Sequence, residues 1–110
     1  MKNDQYRRAR GGTAQMIDVN CTACGRRVLY YQKDGAGSLL RCYLNRIFAP
    51  AKWEKLQYEC KSTKDMPNLV CDCGNLLGVP MRHRDDRLAF RLVRGKFQRQ
   101  RSDNGEKGTV

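Results

Sequence analysis

The chain has 110 residues, enough for one small domain. With 22 Lys and Arg against 11 Asp and Glu, its net charge of +11 points away from cationic ligands and toward phosphate backbones or acidic protein partners. No apolar run approaches the roughly 18 residues a helix needs to span a bilayer, so no transmembrane helix is expected.

Residues 1–20 carry Lys2, Arg7, Arg8, Arg10 and the pair Gly11-Gly12 with little apolar periodicity, and they read as a flexible basic arm. This charged start lacks the apolar stretch of a secretory signal. The expected compartment is therefore the cytoplasm, where thiols stay reduced and bind metals rather than pair as disulfides. Residues 26–32 (RRVLYYQ) are β-branched and aromatic, which suits a strand, and residues 33–37 follow as a turn. Residues 38–48 read as a second strand or a short helix, though their apolar positions fit neither period cleanly, and Pro50 ends them. Leu56, Tyr58 and Cys60 alternate with polar residues, the pattern of a half-buried strand. Residues 68–70 and 76–81 read as strands on either side of the second cysteine pair. Residues 85–94 admit two assignments: Leu88, Phe90 and Leu92 alternate as in a strand, while Asp85 as N-cap and Gly95 as C′ residue suit a short helix. A last strand is expected at 97–101 and a disordered tail at 102–110. The fold class is mostly β, in one domain at 21–101.

Cys21-Thr22-Ala23-Cys24-Gly25 and Cys71-Asp72-Cys73-Gly74 carry the chemistry. Two cysteines in a tight turn return their sulfurs toward one point, glycine permits the backbone conformation such a turn needs, and four thiolates suit one tetrahedral Zn²⁺. The expected ligands are Cys21, Cys24, Cys71 and Cys73. Iron in the same cage, or disulfides, are the alternatives. The one-residue spacer of Cys71-x-Cys73 is the weaker half-site, and Cys60, then Cys42, are the substitutes for Cys71. Otherwise both are expected to be buried, inert thiols.

An ordinary zinc ribbon separates its pairs by about 15–20 residues, whereas residues 25–70 intervene here, room for several strands. In this respect the chain resembles the β-tent group, which includes Yippee-type proteins and the ligand-binding domain of cereblon. The matching positions are Cys21, Cys24, Cys73, Leu77, Gly78 and the step Gly95-Lys96-Phe97. The resemblance implies two antiparallel sheets leaning together and pinned at the apex by one zinc. It departs at Cys71, one residue closer to Cys73 than in that group, and at Val79, where Yippee-type chains carry tryptophan. An aromatic ligand cage is thus not implied. An elaborated zinc ribbon is the other architecture of this pattern.

Three function classes follow. The first is a non-catalytic zinc module binding RNA or another single strand. Arg91, Arg94, Lys96, Arg99 and Arg101 would contact phosphates, and Tyr30, Tyr31, Tyr43, Tyr58 and Phe97 are available for stacking. The second is a protein or small-ligand adaptor of β-tent type, whose binding would survive high salt. The third, an enzyme or redox protein, fits least: four cysteines close a metal site that catalysis needs open. The single histidine, His83, sits between two arginines as a surface residue would.

Overall fold

In the computed structural model the described residues are 15–35 and 37–101. Strands β1 (Gln15–Cys21), β2 (Arg27–Lys33), β4 (Ile47–Ala49) and β8 (Phe97–Arg101) form one antiparallel sheet in the order β4-β2-β1-β8. Strands β3 (Arg41–Tyr43), β5 (Leu69–Val70), β6 (Leu76–Arg82) and β7 (Leu88–Leu92) form a second, in the order β3-β7-β6-β5. Two short helical turns, α1 (Ala51–Glu54) and α2 (Leu56–Glu59), fill the connection between β4 and β5.

The core lies between the sheets. On β1, Ile17, Val19 and Cys21 are buried and alternate with more exposed residues, as a strand with one wet face must. Leu29 and Ile47 extend that wall, and Phe90, Cys42, Leu69 and Leu77 supply the opposite one. Trp53 of α1 closes the core, its ring edge-on to Phe90 at 5.8 Å between centroids.

The mostly-β class and the strands after β1 follow the sequence reading, with four corrections. Residues 15–20 belong to β1 and not to the basic arm, because Ile17 and Val19 pair with Tyr31 and Leu29 of β2 and bury with them. The sheet therefore takes in Gln15–Cys21, while residues 1–14 and 102–110, where the rest of the expected arm and the expected tail fall, lie outside the described residues. Residues 56–60 are not a strand. Trp53 and Leu56, three apart, share one helical face and are buried, whereas Tyr58 is 75% exposed. The helix considered at 85–94 is absent; residues 88–92 are β7, preceded by a turn at Asp86 with φ of 73°. Residues 38–48 fit no single period because they are three elements: β3, one 3₁₀ turn at Leu44–Arg46, and β4.

Candidate metal centre and basic groove

Each cysteine pair sits where a hairpin turns. Cys21 ends β1 and Cys24 lies in the β1–β2 turn; Cys71 follows β5 and Cys73 precedes β6. The two turns have the same design. Cys21 N donates to Arg26 O and Gly25 N to Cys21 O, both at 2.8 Å. In the second, Cys71 N donates to Asn75 O at 2.9 Å and Gly74 N to Cys71 O at 2.8 Å. The second loop is one residue shorter, so a one-residue spacer still returns both sulfurs to the same side. Gly25 and Gly74 take φ of 80° and 98°, a region that a Cβ strains.

The four sulfurs lie within 4.8 Å of one another. Cys21 Sγ is 3.6 Å from Cys73 Sγ, and Cys24 Sγ is 3.5 Å from Cys71 Sγ. A regular tetrahedron of zinc–sulfur bonds about 2.3 Å long has edges of about 3.8 Å, so the cage fits an ion of that size. Both close contacts join one sheet's turn to the other's, and all six cysteines are free thiols. A metal held here would tie the two sheets together at one end.

Hydrogen bonds aim positive charge at the cage. Ala23 N and Asn75 Nδ2 each donate to Cys21 Sγ at 3.3 Å. Burial pulls the Cys21 thiol up, but the amide of Cys24, the Asn75 side chain and the amide of Ala23 outweigh it and bring the thiol down to about 6. For Cys71 the amide of Cys73 acts downward, yet burial and the neighbouring sulfurs push it up to about 12. The four thiols are coupled, so their protons belong to the quartet as a whole: amide donors favour thiolate at Cys21, while burial and hydrogen bonding to the neighbouring sulfurs favour the thiol at Cys71. A bound cation cancels the thiolate charge.

Asn75 also donates to Lys96 O at 2.9 Å, and Thr22 N reaches the same oxygen at 3.2 Å. The Gly95-Lys96-Phe97 step therefore packs its backbone on both turns. Sequence reading missed Asn75; its only sequence signal is a donor side chain directly after Cys73-Gly74. Cys42, 0% exposed, is a core thiol pushed up by burial. Cys60 is half-buried past the end of α2 and gives its thiol hydrogen to Asp65 O at 3.5 Å, so neither joins the quartet.

The arginines named from sequence divide. Arg91, Arg94 and Arg99 line one groove of about 1200 Å³, together with Arg41, which no local pattern singles out. Its walls add Leu40, Val79, Met81, Leu92 and Phe97, and among the described residues no carboxylate lines it. Lys96 and Arg101 are exposed and do not line it. Arg41 stands directly opposite Arg91 in the β3–β7 register, a like-charge pair that costs stability. Of the aromatics expected to stack, only Phe97 reaches this groove. Tyr31 is buried with its hydroxyl accepting from Tyr43 N at 2.8 Å, and Tyr43 lies under the Arg87 guanidinium. His83 is half-buried rather than a surface residue, its Nδ1 3.0 Å from Asp85 Oδ1.

No protein family, curated protein or solved structure matches this chain. Among the described residues no helix is long and apolar enough to cross a membrane.

Proposed function

We propose that the chain is a non-catalytic module, stapled by one structural zinc on Cys21, Cys24, Cys71 and Cys73, that binds single-stranded RNA through its arginine-lined groove. One observation carries the binding half of this reading: Arg41, Arg91, Arg94 and Arg99 converge on a groove that no carboxylate of the described residues lines. Arg41 and Arg91 are held opposite each other at a cost to the fold, the kind of local conflict expected at a functional surface. A polyanion relieves it. The apolar wall from Leu40 to Phe97 suits unpaired bases better than the regular backbone of a duplex.

The metal half rests on four sulfurs grouped at the size of a zinc cage and on the amide donors around Cys21. Zinc would supply the cross-link between sheets and no reaction step, since four thiolates fill its coordination sphere. Two sheets joined at one end by this quartet support the resemblance to the β-tent fold. The reducing cytoplasm suits free thiols.

The apolar wall also favours an adaptor that takes a protein segment or small apolar ligand, and salt separates the two. Fluorescence anisotropy with a labelled single-stranded RNA should give a log affinity against log salt slope of about −3, from four phosphates at about 0.7 each. Between 50 and 200 mM salt that is a loss of about fiftyfold. A flat salt profile would favour the adaptor.

A further inference from the structure

The sharpest break in the strand pattern lies at the end of β2. Leu29, Tyr31 and Lys33 occupy its core-facing row, and Lys33 is only 6% exposed, the one buried charged side chain among the described residues. Its Nζ donates to Gly35 O at 2.8 Å. Burying an ammonium is costly, and strand periodicity calls for an apolar residue at this position.

Lys33 lines a recess of about 270 Å³ together with Asp34, Arg41, Tyr43 and Arg87. The carboxylates in this region are already engaged. Asp34 lies 3.2 Å from Arg46 Nη2, and Asp85 accepts from Arg87 Nε at 2.8 Å. Among the described residues no carboxylate pairs with Lys33 or Arg41; Arg41 Nη1 donates only to Tyr43 Oη at 3.3 Å. The Arg87 guanidinium is fixed face-on to Tyr43, 3.7 Å from the ring centroid. The cations press on each other. Burial, then the charge of Arg99, pull the Lys33 ammonium down against the attraction of Asp34, and burial, then Arg87, lower Arg46.

We propose that this recess is a binding site for a phosphate group, held by Lys33, Arg41 and Arg87. Converging Lys and Arg donors suit a tetrahedral oxyanion of charge near −2, and an anion there adds counter-charge where the one carboxylate acting on Lys33, Asp34, is already shared with Arg46. The recess adjoins the groove across Ser38, Leu39, Leu40 and Arg41, which line both, while Arg91 and Arg94 line the groove alone. The site does not depend on strand binding, and separate variants test the two.

The test is titration of inorganic phosphate into the metal-loaded full chain at constant ionic strength, followed by backbone amide chemical shifts. The expected result is saturable shifts at Lys33, Asp34, Tyr43 and Arg87. Lys33→Met and Arg87→Gln should each weaken phosphate binding about tenfold or more, the loss of one charge-assisted contact. Arg91→Gln with Arg94→Gln should leave it within about twofold, since neither lines the recess. If Lys33→Met does not fold, Arg87→Gln decides alone. Absence of saturable shifts overturns the site, as does unchanged affinity in Arg87→Gln, or loss of binding in the Arg91 and Arg94 variant only. A single-stranded RNA with hydroxyl groups at both ends then identifies the source. Displacement of phosphate by it assigns the site to the strand's own phosphodiesters, and failure to displace assigns it to a free or terminal phosphate. Both results uphold the site.

Discussion

Cys24→Ser is expected to abolish the folded state rather than weaken it. Cys24 is exposed, so the substitution opens no core cavity and removes little buried surface. What it removes is one of four sulfurs that join the β1–β2 turn to the β5–β6 turn. A structural zinc contributes an apparent 10–16 kcal/mol, roughly, to small zinc modules, comparable with the about 5–15 kcal/mol of net stability of an entire domain. Among the described residues the two sheets share no strand, so beyond the core and a few hydrogen bonds such as Tyr43 N to Tyr31 Oη, a metal on this quartet would be the one strong link between them. Circular dichroism of Cys24→Ser should lose the β signal, and its metal content should fall well below one ion per chain. Cys60→Ser is the control, because its thiol donates to Asp65 O at the edge of the core and lies outside the quartet; it should keep both. A folded, fully metallated Cys24→Ser protein contradicts the ligand assignment.

The largest functional effect is expected at Arg41, Arg91 and Arg94. Replacing all three by Gln removes three charge-assisted contacts at about 1 kcal/mol each, the low end suited to a solvent-facing groove, and lowers single-stranded RNA affinity on the order of 100-fold. The salt slope should fall from about −3 to about −0.7, the contribution of Arg99 alone. Stability should move the other way. Arg41 faces Arg91 across β3 and β7, and removing a like-charge pair returns about 0.2–1 kcal/mol. Lost binding with an unchanged or raised melting temperature marks a surface kept for a ligand. Unchanged affinity and slope would exclude the groove as the binding face. The remaining arginines would then be read as edge charges on β8, which discourage pairing with another chain.

What the sequence discloses depends on how far apart the cooperating residues lie. The grouping of Cys21, Cys24, Cys71 and Cys73 is legible because each half is a local turn whose glycine marks it. Strands β6 and β8 are legible for a similar reason: their composition and flanking turns are local. Strand β1 is not, since Gln15, Asp18 and Asn20 give it the polarity of the basic arm, and only pairing with β2 and β8 reveals the buried row of Ile17, Val19 and Cys21. Leu56, Tyr58 and Cys60 imitate a strand over too short a stretch to distinguish it from a helical turn. Arg41 joins the groove only through the long-range register that sets it beside Arg91, and Lys33 looks like the start of a polar turn until β2 carries it into the core. Asn75 serves a sulfur on the other sheet's turn, a relation that no periodicity encodes.

Elemental analysis of protein purified without added metal, with a count of reactive thiols in the native and chelated states, tests the central claim most directly. The zinc staple predicts one zinc per chain, with Cys42 and Cys60 as the two thiols outside the cage and loss of the β signal on chelation. Iron in place of zinc would contradict the metal assignment. A folded chain that holds no metal, or that keeps its β signal after the metal is stripped, would contradict the staple itself.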